Sequence, residues 1–296
     1  MSKNCVIMGR IKSNYESRSQ TSLIRRIPVI MRIDGKAFHT YTKGLDKPFD
    51  KELMNDMDQT AIYLCSKIQG AKCAYVQSDE ISILITDYDK LETDAWFDYN
   101  VQKMTSISAS LATGIFNQLR LQKMVGSEFD HGDNKYLDSK YLNSNLANFD
   151  SRVFNIPKEE VANYFLARQK DAVKNSIASV AQHLYPRKGD LDNKNGNEQQ
   201  EMIFQKGINW NDYTFGEKRG RFIIKNTYWN NELVVERNTY TDPFDNVTEL
   251  RTENIVKNGD KYLNLDGLEF KPIIRTKWEV VETPLTFNND NFNKWL

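Results

Sequence analysis

The chain has 296 residues, with 40 Lys plus Arg against 40 Asp plus Glu, so its formal net charge is zero. That balance excludes a globally cationic nucleic-acid binder, and any RNA must be held by a local basic patch. Apolar content of 40% and charged content of 27% are ordinary for a soluble globular protein with a sizeable core. Three cysteines, Cys5, Cys65 and Cys73, without CxxC spacing argue against a disulfide framework or a zinc site and fit a reducing cytoplasm. Neither a secretory signal pattern nor an apolar run long enough to span a bilayer is present, so the chain reads as neither exported nor membrane-spanning.

Residues 1–26 are polar and read as a solvated helix and connector. Residues 27–34 form a buried-type strand that ends at Asp34, followed by a loop punctuated by Gly35, Gly44 and Pro48. From Asp50 to Ile68, Leu53, Met57, Ala61, Leu64, Cys65 and Ile68 make one apolar helical stripe, and Asp50 is placed to cap it. A hairpin follows at 73–86, its tight turn at Ser78-Asp79-Glu80. A second helix covers roughly 94–123, with a small-residue centre that permits close approach to a sheet. Residues 126–147 read as a surface loop, and 148–156 as a strand stopped by Pro157. A third helix spans about 158–185. Residues 187–200 read as a linker, and beyond them short strand-like runs appear at 222–224, 233–235, 273–274 and 278–281.

The order βαββαβ is the layout of a ferredoxin-like α+β fold, with helices against an antiparallel sheet. The expected organisation is a palm-like catalytic domain over 1–186, a linker-like loop over 187–200 and a mixed, β-rich C-terminal extension over 201–296 packed on the palm. In such a sheet Asp34 and Asp79 end neighbouring strands and are expected to converge. Two carboxylates and a main-chain carbonyl make an oxygen-rich site suited to Mg²⁺. Two such ions stabilise the attacking and leaving oxygens of phosphoryl transfer. Gly35 lets the backbone approach a triphosphate, and the amides that follow it are candidate donors to phosphate. No GxxxxGK[ST] occurs, and three histidines without a His/Cys cluster do not suit zinc catalysis.

Five stretches occur in order: Arg32-Ile33-Asp34-Gly35-Lys36-Ala37-Phe38-His39, Lys47-Pro48-Phe49-Asp50, Gln77-Ser78-Asp79-Glu80, Phe149-Asp150-Ser151-Arg152, and Arg168 through Ser176. Together they resemble the tRNA-His guanylyltransferase superfamily, the 3′–5′ nucleotide polymerases, densely over residues 6–186 and more weakly through Gly207 to Asp212. The resemblance implies a polymerase-type palm with catalytic Asp34, Asp79 and Glu80, and two Mg²⁺ ions on Asp34, the Gly35 carbonyl and Asp79. It places Asp34, Gly35, Lys36, Ala37, Phe38, His39, Lys47, Asp50, Ser78, Asp79 and Lys103 around a bound nucleotide. It places Arg152, Arg168, Lys174 and Asn175 against RNA. It implies ATP and GTP or other nucleoside triphosphates as substrates, a tRNA with an immature or truncated 5′ end as partner, and a homotetramer. Family members activate the 5′-monophosphate with ATP, and the 3′-hydroxyl of an incoming triphosphate then attacks the activated end.

Two departures point within the superfamily. Eukaryotic members that add a single guanylate carry His-Ile-Asn-Asn-Leu-Tyr on the third helix, where the histidine helps read the anticodon. This chain has Val173-Lys174-Asn175-Ser176-Ile177-Ala178 there. Asn100 also stands where those enzymes have an arginine. Both features, and Phe49, are similar to the bacterial and phage guanylyltransferase-like branch, which repairs 5′-truncated tRNAs by templated addition. The expectation is therefore a tRNA 5′-end repair enzyme in the cytoplasm of a bacterial or phage-infected cell. Dedicated tRNA-His maturation, a palm-domain nucleotide cyclase and a non-catalytic RNA-binding module are the alternatives.

Overall fold

A computed structural model describes residues 3–131, 146–187, 189–230, 240–241, 247–248 and 273–281. Its centre is a six-stranded sheet built from β1 (Val29–Gly35), β2 (Ala71–Gln77), β3 (Glu80–Ile85), β4 (Phe149–Asn155), β5 (Arg221–Asn230) and, after the short strands β6 (Tyr240–Thr241) and β7 (Val247–Thr248), β8 (Ile273–Val281). The spatial order is β4-β1-β3-β2-β5-β8, and β1 pairs antiparallel with both β3 and β4. The chain forms two compact units, Met1–Ile224 with Trp278–Leu296, and Lys225–Lys277. In the second, β6 pairs with β7, Tyr240 opposite Thr248.

Alternation along the central strands divides the core into two layers. Val29, Met31, Ile33, Val76, Ile81, Ile83 and Ile85 face α3 (Lys51–Lys67) and α4 (Val101–His131), which follow α1 (Lys3–Asn14) and the short α2 (Phe38–Tyr41). Ile30, Cys73, Tyr75, Leu84 and Phe222 face the opposite way, against Val161, Ala162, Phe165 and Ala172 of α5 (Val161–Leu184). The sheet is thus buried on both sides, which is why β1 and β3 read as nearly continuous apolar runs. A third cluster joins the C-terminal half of α5 to α6 (Gly196–Gln205) and Trp210, with Phe49 packed on it.

The predicted elements sit close to the observed ones, with four main differences, the first being that the loop predicted after Asp34 holds α2 (Phe38–Tyr41). The second predicted helix begins at Val101 rather than 94, because Trp96–Tyr99 form a kinked turn with positive φ at Phe97, Asp98 and Tyr99, and Asn100 Oδ1 accepts from Lys103 N. The helix continues to His131, into the segment predicted as loop. Residues 196–200, predicted within a linker, open α6, where Asn195 and Glu198 form a reciprocal capping box. The strand-like run at 233–235 lies outside the described residues. Among the described residues no helix is long and apolar enough to cross a membrane.

Candidate active site

Register sets the site. Asp34 lies opposite Glu80 on β3 and opposite Asp150 on β4, while Arg32 lies opposite Ser82 and Arg152. Directly opposed residues of an antiparallel pair point to the same face. That face is the one covered by α5, so the acids and arginines gather where β1 leaves the sheet. The β2–β3 hairpin turns at the same end, with Ser78 held at φ 47° between the paired Gln77 and Glu80. Its tip is tied to β1 by Gly35 N, which donates to Asp79 O at 3.1 Å.

Both acids are pushed above the ordinary carboxylate range. Burial does most of this for Asp79, and the charges of Asp34 and Glu80 add to it against the lowering hydrogen bonds of its own backbone and Ser78. Asp34 is raised by burial and then by Glu80 and Asp150, with Arg32 and Arg152 opposing. Gly35, next to Asp34 in the chain, is hydrogen-bonded to Asp79 O, which puts the two acids in one region. A carboxylate whose folded pKa is raised binds its proton more tightly when folded, so its contribution to stability is lost as pH rises through that pKa. In metal-free protein Asp79→Asn therefore melts above the parent at neutral pH. The gap shrinks as pH falls through the raised pKa toward the usual range, and a gap that stays constant in thermal melts contradicts this charge arrangement.

Among the described residues no group of three or more His, Cys, Asp and Glu side chains forms a metal-holding cluster. The donor set expected here is a different one, two carboxylates with a main-chain carbonyl. It is all oxygen, and the carboxylates repel one another, which a hard divalent cation relieves. On that ground the residues present fit Mg²⁺.

Gly35 accepts no side chain, since a Cβ there would sit 2.2 Å from the Phe38 ring. Phe38 is buried among Tyr41, Phe116 and Phe149, so only its backbone is available to a ligand. The amides of Gly35 and Lys36 already donate to Asp79 O and Asn148 O, which leaves Ala37, Phe38 and His39 as the donors of this loop. Ala37 adopts left-handed geometry that turns the chain into α2. Lys36, His39, Lys47 and Ser78 are exposed at this end or on the loop beyond it.

Four predicted residues have other places. Asp50 accepts on both oxygens, from Leu53 N at 2.7 Å and Asp46 N at 3.1 Å, as the cap of α3. Lys103 lies away from the acids. Thr113 of α4 accepts from Phe149 N beside Gly35, and Lys103 is ten positions earlier, about 15 Å along a helix rising 1.5 Å per residue. There α4 meets the N-terminal connector through Val101 N and Thr21 O. Arg168, expected on RNA, is turned inward: Nε donates to Glu80 Oε1 at 2.8 Å, and Nη2 bonds both Glu80 and Asp171. Glu80, expected to be catalytic, is buried and held by that guanidinium, which makes it the strut of the hairpin that carries Asp79. Arg152 bonds Asp150 at 2.8 Å and lies 3.9 Å from Asp34, within the site. Lys174 and Asn175 are exposed on the outer side of α5. Sequence reasoning gave no role to Arg32, whose signal was its period-two spacing from Asp34.

A family model described as "Thg1: tRNAHis guanylyltransferase" matches residues 9–157, just over half of the chain. The chain belongs to this family. Members of the Thg1 family are nucleotidyltransferases, and this chain is an enzyme of that class. Among solved structures it is similar to a bacterial Thg1-like protein in complex with ATP, at 47% identity over 73% of this chain and 88% of that one, TM-score 0.64. A bacterial Thg1-like protein in complex with GTP matches at 36% identity over 98% and 97%, TM-score 0.67. The tRNA(His) guanylyltransferase of Schizosaccharomyces pombe is 29% identical over 72% of this chain and 81% of its own length. The palm-type α+β fold of Thg1-like structures agrees with the sheet described above.

Proposed function

We propose that this Thg1-family enzyme adds nucleotides in the 3′–5′ direction to the 5′ end of truncated tRNAs, copying the opposite strand. The observation that carries the choice is at Val173, where eukaryotic single-guanylate enzymes carry the anticodon-reading histidine. Val173 packs with Ile177 and Trp210 in the apolar cluster between α5 and α6, and Ser176 Oγ accepts from Trp210 Nε1 at 3.2 Å. Val173 and Ile177 of that stretch serve as packing. The nearness of bacterial Thg1-like proteins supports the same branch.

In this reading Asp34, the Gly35 carbonyl and Asp79 hold Mg²⁺, and ATP and GTP or other nucleoside triphosphates are substrates, as the ATP and GTP complexes of the two bacterial proteins suggest. The metal supplies charge neutralisation along the phosphates and lowers the pKa of the attacking hydroxyl. The amides of Ala37, Phe38 and His39 donate to the triphosphate, and Lys36 and Lys47 offset its charge. The Ser78 hydroxyl beside Asp79 favours its ionised form. Arg168 holds Glu80, and so the hairpin, against α5. Lys174 and Asn175 meet RNA on the outer face of α5. A homotetramer working in the cytoplasm completes the reading.

An enzyme that reads the anticodon loses about 1–3 kcal/mol for each wrong base, which is roughly tenfold or more in rate or affinity. Changing the anticodon of a 5′-truncated tRNA is expected to leave the rate of extension by this protein nearly unchanged. A drop of the tenfold kind returns the assignment to dedicated tRNA-His maturation.

A further inference from the structure

The charges on the α5 face do not balance one to one. Glu80 is taken by Arg168, and Asp150 is taken by Arg152, which also stands 3.9 Å from Asp34. Arg32 forms no salt bridge among the described residues, and its buried Nε donates to nothing. The hydroxyl opposite it is not a substitute, because Ser82 Oγ is engaged by Tyr164 and Glu80. Arg32 and Arg152 are moreover direct cross-strand partners. Like charges so placed oppose pairing, and a buried donor without an acceptor costs free energy that a fold ordinarily avoids. Both costs disappear when an anion sits between the two guanidinia.

Position says which anion. Arg32 is two residues before Asp34, about 7 Å back along the strand, whereas Ala37 to His39 lie beyond Asp34 on the other side. The carboxylates therefore stand between the loop amides and the arginine pair. Phosphoryl transfer joins two phosphate-bearing substrates at one place, and each needs its own holder.

We infer that Arg32 and Arg152 form a phosphate subsite that holds the 5′-terminal phosphate of the acceptor RNA. The inference rests on the reading of this site as a 5′-end nucleotidyltransferase and adds how the acceptor end is recognised. Guanidinia suit this task because their planar donors match phosphate oxygens two at a time.

The test is equilibrium binding of one 5′-truncated tRNA prepared with a 5′-monophosphate or a 5′-hydroxyl, without nucleotide, to the parent, Arg32→Gln and Arg32→Lys. A charge-assisted pair contributes about 1.5–3 kcal/mol, so the parent is expected to prefer the phosphorylated end by roughly tenfold to a hundredfold. Arg32→Gln is expected to lose that preference while binding the hydroxyl form as the parent does, and Arg32→Lys to keep part of it. Equal preference in parent and Arg32→Gln overturns the inference. So does a variant whose binding of GTP alone falls while its preference for the phosphorylated end persists, since the triphosphate is then the source of the phosphate. Arg32 has no hydrogen bond or salt bridge to lose among the described residues, and a thermal melt of each variant confirms an intact fold. Extension of truncated tRNA by the parent, run in parallel, separates the two failures: extension without 5′-phosphate discrimination removes only this subsite, and no extension removes the functional reading beneath it.

Discussion

Asp79→Ala and Asp34→Ala are each expected to abolish nucleotide addition while leaving the melting profile of a folded protein. Each removes one of two carboxylates at the same end of the sheet, Asp34 on β1 and Asp79 in the turn between β2 and β3. The backbone there is fixed by the bond from Gly35 N to Asp79 O, which neither substitution touches. Metal-assisted charge stabilisation contributes several kcal/mol to phosphoryl transfer, so the expected loss is about a thousandfold or more. Both groups also carry a raised pKa, and removing either relieves repulsion on the acids that remain. Retained extension of a tRNA 5′ end by either variant contradicts the assignment. A variant that fails to fold contradicts the claim that these acids reduce stability in the metal-free protein.

The largest effect on stability is expected on the α3 face of the sheet, at Arg221→Met, opposite Val76 of β2. Arg221 lies at the start of β5, and its Nε bonds both oxygens of Asp58 on α3 at 2.7 Å. Both residues are buried, and Nη2 donates to Met54 O at 3.3 Å. Removing one member of a buried pair leaves the other charge without its partner and costs about 3–5 kcal/mol. The double variant Asp58→Leu with Arg221→Met is expected to recover most of that in urea unfolding, because an apolar pair of similar volume fills the same space. Equal losses in the single and double variants would show that shape rather than charge dominates this contact.

Much of the sheet was legible because each central strand carries its own signal. The apolar run ending in Asp34 and the polar apex at Ser78-Asp79 identify two strand ends from local pattern alone, and the helical stripe from Leu53 to Ile68 is regular enough to count. The pairing of Asp34 with both Glu80 and Asp150 needs β4 beside β1, which no local pattern specifies. Arg168 illustrates the same limit. On a helix its exposed-type residue reads as a surface cation, yet it reaches Glu80, 88 positions away in sequence, and becomes an internal tie. Asp50 carries two readings at once, and the structure shows the helix cap, with a local amide on each oxygen. Lys103 was placed at the site by family pattern, and the direction of α4 relative to β4 carries it toward the other end. Arg32 carries only its period-two spacing from Asp34 as a signal, which any strand residue on that face shares, and its missing partner is visible only in three dimensions.

The proposed strand-copying reaction at a 5′ end depends on two carboxylates, Asp34 and Asp79. The most direct measurement incubates a labelled, 5′-truncated tRNA with Mg²⁺, ATP and all four nucleoside triphosphates, and changes the unpaired nucleotide opposite the growing end. The product is expected to lengthen by the complementary nucleotide each time, guanylate opposite cytidine and uridylate opposite adenosine. A single guanylate added whatever stands opposite it, or no lengthening at all, would contradict the account.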